Sequence, residues 1–339
     1  MKLIKLLVLP ILIFLKLSSF GQDIHFSQFL TAPMSLSPAT AGLFNGMFRA
    51  GINSKLQWSS VTKPYQTISA YFDTQLFKRK YRKDAFGIGV SLFSDIAGDS
   101  KFSTTQVCVS LSYIKSLNRR NNNFISVGIQ PGYAIRKIDY SALSFDNQYN
   151  GSYYDSNLGN GEVFSNNGYS YLDLGAGINW LYQPKLDVNY SAGFGMFHIN
   201  RPKQSFFENS EVRLHTKYVG YFGAEVNLRS NIQALPSILY MNQGPHNEVL
   251  FGSLFKFNRN KNSFSYVSLN AGVFYRFGDA LSVIAGFDWR RLSVNLSYDV
   301  NLSSLTPASK ARGGFEISLV YIYDKNKKRK HREIPCPIF

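Results

Sequence analysis

The sequence predicts an all-β fold: a transmembrane antiparallel β-barrel of about fourteen strands with a non-strand N-terminal segment. Two observations carry this. First, segments of about ten residues alternate between an apolar face and a polar or small one, as barrel strands do between lipid and lumen. Within residues 47–58, Phe48, Ala50, Ile52, Leu56 and Trp58 share one face, while Arg49, Asn53, Lys55 and Gln57 share the other. Second, aromatic residues make up 15% of the chain although its mean hydropathy is near neutral at −0.14. A soluble all-β protein could have that average. The aromatic excess and the regular alternation favour the barrel, whose polar lumen offsets its apolar exterior.

The chain opens with the pattern of a signal peptide over 1–21. Lys2 and Lys5 precede an apolar run over 6–15, and Ser19-Phe20-Gly21 supplies small residues for cleavage before Gln22. Lys16, at the tail of the apolar run, argues against a retained anchor. No Cys follows the cleavage point, so no lipoprotein is read. No later stretch approaches the roughly 18 apolar residues of a membrane helix. An exported chain is therefore expected, with segment 22–46 packing on the lumen or the periplasmic mouth, a barrel over 47–323, and a basic periplasmic tail over 324–339.

The strands are expected at 47–58, 65–76, 86–95, 104–114, 124–136, 171–182, 188–198, 214–228, 232–241, 248–257, 266–277, 281–289, 292–301 and 315–323. Some are very clear, such as 266–277, where Val267, Leu269, Ala271, Val273 and Tyr275 alternate with Ser268, Asn270, Gly272 and Phe274. Segment 232–241 is the poorest. Pro236 cannot donate to a ladder and suggests a bulge or an edge. An even count puts both ends on one side. Strand parity then places the long connections 137–170, 200–213 and 302–314 on one side and the turns 183–187, 229–231 and 290–291 on the other. Outer-membrane barrels show this asymmetry between external loops and periplasmic turns. Trp58, Tyr113, Tyr182, Tyr275 and Trp289 are expected near the lipid interfaces.

The formal charge is +16, of which the leader holds three lysines. An exported barrel argues against nucleic acid as the basic chain's partner. Instead the charge segregates by side. The short turns carry Lys78, Arg79, Lys80, Arg82, Lys83, Arg119, Arg120, Lys185, Arg229, Arg259, Lys261, Arg290 and Arg291. The tail adds Lys325, Lys327, Lys328, Arg329, Lys330 and Arg332. Two readings stand: a solvated rim attracted to the lipid bilayer's anionic headgroups, or a docking face for a periplasmic partner. Segment 140–170, rich in Asn, Gly, Ser and Tyr, reads equally as an adaptable binding surface or as an ordinary mobile loop. Ten glycines fall on inward faces: Gly87, Gly89, Gly128, Gly132, Gly175, Gly177, Gly193, Gly195, Gly272 and Gly286. They indicate strand coiling or room for a plug.

No catalytic, cofactor or metal constellation stands out. The five histidines lack ligand spacing. His198 falls at the lipid-facing end of a strand and reads as an interfacial structural residue, although a barrel phospholipase would place a catalytic His there. Asp73, Asp173, Glu225 and Asp288 face the lumen and are expected to pair with lumen Arg and Lys. Cys108, inside the barrel, and Cys336, in the tail, read as unpaired thiols.

The segment after the leader has no strand period. It holds Gln22-Asp23, then Phe26-Ser27-Gln28, then Pro38-Ala39-Thr40-Ala41-Gly42, followed by Gln57-Trp58 on the first strand. These motifs, with a Cys-Pro ending at Cys336-Pro337, resemble the PorP/SprF family of type IX secretion outer-membrane proteins from Bacteroidota. Ile338 stands where a basic residue is expected. The resemblance spans the mature chain. It implies a barrel of about fourteen strands that serves secretion, surface display or gliding motility rather than catalysis. It also implies as partner either a secreted adhesin with a type B C-terminal domain or the periplasmic ring and motor components. The competing reading is an outer-membrane channel for a small solute. A barrel enzyme is the least favoured.

Overall fold

The computed structural model describes residues 23–57, 63–77, 84–162, 166–206, 211–260, 267–303, 306 and 312–324. The leader, Gln22, Trp58, the clusters 78–83 and 325–332, and Cys336 lie outside the described residues. Fourteen antiparallel strands close into one barrel: β1 Phe48–Gln57, β2 Tyr65–Leu76, β3 Ala85–Ala97, β4 Phe102–Ser116, β5 Asn123–Lys137, β6 Gly168–Lys185, β7 Val188–Phe197, β8 Lys217–Arg229, β9 Ile232–Gln243, β10 His246–Asn260, β11 Val267–Arg276, β12 Ala280–Trp289, β13 Leu292–Asn301 and β14 Arg312–Tyr323. Each strand pairs with its sequence neighbours, and β1 closes on β14 from Phe48↔Tyr323 to Gln57↔Gly314. Closure leaves no free edge, which a lipid-embedded sheet requires.

The alternation decides which side chains enter the lumen. On β1, Ile52 and Leu56 face outward and are exposed, whereas Arg49, Asn53 and Lys55 are buried inside. On β11, Leu269 and Val273 face out, and Ser268, Asn270 and Phe274 face in. Tyr113, Tyr182, Tyr275 and Trp289 all stand on the outer face, each close to a strand end. Strand parity puts the connections 138–167, 198–216 and 302–311 on one rim, here the long-loop rim. The turns 186–187, 230–231 and 290–291 lie on the other, the short-turn rim.

Pro236 marks neither a bulge nor an edge, contrary to the expectation from its missing donor. The β8–β9 ladder lapses opposite it, between Gly223↔Ser237 and Val226↔Ala234, and resumes in the same register. Pro131 does the same on β5, between Cys108↔Gly132 and Leu111↔Ile129. Each proline removes one donor, and the flanking pairs hold the register.

Candidate functional site

Residues 23–46 occupy the lumen. They form no strand but fold through three short 3-10 turns, Phe29–Thr31, Pro33–Ser35 and Pro38–Thr40. The path runs from the long-loop rim, where Asp23 N donates to Gln243 Oε1 at 2.9 Å, to the short-turn rim, where Met47 N donates to Tyr323 O at 2.7 Å.

The lumen wall meets this segment in three ways. Along β3 to β7 it is lined by glycine, and the segment's backbone lies directly on it. A Cβ at Gly87 would stand 2.0 Å from Ala41 O, and one at Gly195 would stand 2.2 Å from Leu36 O. Gly89, Gly128 and Gly177 are likewise pressed by Met34, Ala39 and Ser37. At these five positions glycine makes room for a plug. Gly132, Gly175, Gly193, Gly272 and Gly286 meet wall residues instead. Along β8 to β12 the wall turns apolar, and Leu235, Leu239, Leu250 and Phe274 enclose Phe29, Leu30 and Leu36. Phe29 meets Phe274 edge-on at 5.7 Å.

The third kind of contact is charged. Arg49 and Asp73, both fully buried, pair through two bonds of 3.0 and 2.8 Å, and Asp73 also accepts from Gly42 N at 2.8 Å. Gly42 needs its left-handed φ of 68°, and a side chain there would strike Gly87. Glu316 accepts from Ser27 N and Gln28 N, both at 2.9 Å. Ser27 Oγ donates to Asp299, and Arg276 Nη2 donates to Ser27 Oγ. Lys55 Nζ donates to His25 O at 3.2 Å. A segment without regular structure thus has buried backbone donors satisfied by side chains of the wall.

The motif residues are anchors of this packing. Asp23 binds His198, Phe26 is buried, Ser27 and Gln28 hang on Glu316, Pro38 opens the third 3-10 turn, Ala39 lies against Gly128, and Gly42 meets Asp73. Gln57 closes β1 opposite Tyr65 and Gly314.

His198 departs from the expectation. Strand parity would point it at lipid, but β7 ends at Phe197 and His198 adopts a left-handed φ of 56°. That turn sends the imidazole into the barrel mouth, between Asp173 (Nδ1 to Oδ1, 2.9 Å) and Asp23. Burial works against the charged ring. The charge of Asp23 and the hydrogen bonds that the ring donates to both carboxylates outweigh it and raise the pKa to about 9. The Asp23 carboxyl is also opposed by burial, yet the His198 charge holds it far below the usual carboxylate range. Burial and the charges of Lys55 and Arg276 keep His25 well below its ordinary value. Of the other lumen acids, Asp73 pairs with Arg49 and Asp288 with Lys256, as expected. Asp173 takes His198 and Gln106, and Glu225 takes the amides of Asn189 and Gln233, because no Arg or Lys side chain bonds to them among the described residues. Cys108 is buried with a free thiol.

A profile of the family described as "Type IX secretion system membrane protein PorP/SprF" matches residues 18–321. The chain belongs to the PorP/SprF family. It is an outer-membrane β-barrel of that secretion-system family. No curated protein matches this PorP/SprF chain by sequence. Among solved structures, the CymD monoaromatic hydrocarbon channel is similar at 11% identity and TM-score 0.51, over 91% of this chain and 96% of that one. The Pseudomonas putida toluene transporter TodX is similar at 10% identity and TM-score 0.51, over 89% and 98%. The Ralstonia pickettii toluene transporter TbuX is similar at 12% identity and TM-score 0.50, over 86% and 94%. At these identities the likeness establishes a shared barrel fold.

Proposed function

We propose that this PorP/SprF barrel is a closed scaffold. It holds a secreted adhesin with a type B C-terminal domain, or the periplasmic ring machinery, at the outer membrane and supports export and surface display. The observation that carries the reading is the filled lumen. Residues 23–46 run from one rim to the other and are fixed to the wall by buried carboxylates, close glycine contacts and an apolar patch. A barrel built this way offers its rims and loops to partners rather than its bore to solutes.

In this reading the long-loop rim faces outward and the short-turn rim faces the periplasm. Arg119, Arg120, Lys185, Arg229 and Arg290 are exposed on the short-turn rim. Together with the basic clusters at 78–83 and 327–330 they favour an acidic partner on that side, with complementarity acting chiefly on association rate. The test is a tagged pull-down from native membranes. Co-purification of an adhesin or of a ring component supports the reading and selects its branch. Recovery of neither, with solute flux through the purified barrel in liposomes, would instead support the channel.

A further inference from the structure

At the long-loop mouth, between the Asp23 end of the plug and strands β3 to β8, the barrel keeps a cavity of about 440 Å³. That lies within the range of small-ligand sites. The plug contributes Asp23, Ile24 and Ser35 to its wall, and the connection 198–216 contributes Gln204 and Leu214.

The chemistry of this wall is particular. Phe93, Phe102 and Tyr171 line it with half-buried aromatic rings. Between them lie polar groups whose bonding is incomplete among the described residues. Arg136 donates through Nε to Thr104 and through Nη1 to Tyr169, and no bond occupies its Nη2. Asp95 accepts from Thr67 on Oδ1 at 2.5 Å, which leaves Oδ2 open. Gln204 Nε2 is a buried donor with no partner among the described residues, and Tyr171 is a further hydroxyl-bearing side chain of the same wall. Free donors and free acceptors are therefore mixed among aromatic faces. The formal charges also cancel: Asp23, Asp95 and Asp173 against Arg136, His198 and Lys217.

A charged ligand would find no net field to match, and a purely apolar one would bury the open donors and acceptors at a cost. Hydroxyl groups both donate and accept, and a pyranose ring also offers an apolar C–H face to an aromatic side chain. We propose that this cavity binds a neutral mono- or disaccharide. The inference extends beyond the secretion role and does not depend on which client that role serves.

The probe is a panel of neutral hexoses, N-acetylhexosamines and their disaccharides. Binding to the purified full-length barrel in detergent micelles is read by saturation-transfer difference NMR. The expected result is saturable binding of at least one sugar. Tyr171→Phe, which removes only the hydroxyl, and Asp95→Asn should each weaken it at least fivefold. Lys115→Gln, near the opposite end of β4, should leave it unchanged. Unaltered heat-modifiability on electrophoresis shows that the variants remain folded. Absence of saturable transfer from every sugar, equal binding by wild type and both cavity variants, or displacement of the sugar by a charged peptide with higher affinity would each overturn the proposal. The pull-down of clients is a separate measurement, so failure of the sugar assay leaves the secretion reading to its own test.

Discussion

The barrel wall and the segment inside it satisfy backbone polar groups away from water by opposite means. The wall does it locally. Each strand bonds to its sequence neighbours, the pattern repeats every two residues, and the side chains need only be apolar outward. The segment 23–46 does it at long range. Ser27 and Gln28 depend on Glu316, Gly42 depends on Asp73, and Asp23 depends on His198. The strand ladders of the wall spread their support over many repeated pairs. The segment rests on a few long-range side-chain contacts, so single changes there should have the larger effects.

The largest effect is expected at Asp73. Asp73→Ala leaves Arg49 buried without its carboxylate and Gly42 N without an acceptor. The cost should be about 3–5 kcal/mol, read as rapid proteolysis within residues 23–46 and a lower unfolding midpoint. Normal protection would show that the segment does not depend on this pair. On the wall, Ile52→Arg puts a charge at an outward mid-strand site that is 51% exposed. Facing lipid, it should cost roughly 2–4 kcal/mol in bilayer unfolding. A neutral effect would show that this face does not meet hydrocarbon.

The latch at His198 adds a pH dependence. Its pKa rises from 6.5 unfolded to about 9 folded, so its stabilisation is fully present below pH 6.5 and is lost as pH rises through about 9. It should amount to roughly 3 kcal/mol. The depressed Asp23 acts in the opposite direction, its share lost as pH falls below its unfolded value of 3.8. Protection of the Asp23 end should therefore be greatest between about pH 4 and pH 6.5, weaken progressively above that and be lost by about pH 10. A His198→Gln variant should be flat over the alkaline part of that range. An equal alkaline loss in the variant would assign the effect to other groups.

The smallest effect contrasts a glycine pressed by the plug with one that faces open space. Gly87→Ala should cost about 1–3 kcal/mol by overpacking against Ala41. Gly220→Ala, with nothing within 4 Å, should be close to neutral. Equal costs would mean that Gly87 serves strand coiling rather than the plug.

The wall was legible in the sequence because its rule is periodic. Ile52 against Asn53, or Leu269 against Asn270, declares its side without knowledge of any partner. The filled lumen was legible only in part. Apolar residues in 24–36 without a strand period suggested packing, and inward glycines left room for a plug, but neither named the contacts. A further signal was present in Leu235, Leu239, Leu250 and Phe274, apolar residues on faces that should be polar. They could have marked the half of the lumen that receives Phe29 and Leu36. The Glu316, Asp299 and Asp73 anchors lie at separations no local pattern encodes. His198 was misplaced because one left-handed residue past a strand end reverses the parity that the alternation predicts.

The central claim is that the segment closes the bore, and the most direct test is conductance of the full-length protein in a planar bilayer. A closed scaffold predicts insertion without steady ion current, at pH 7 and at voltages where open porins conduct. A stable single-channel conductance from the folded, protease-protected barrel would contradict it.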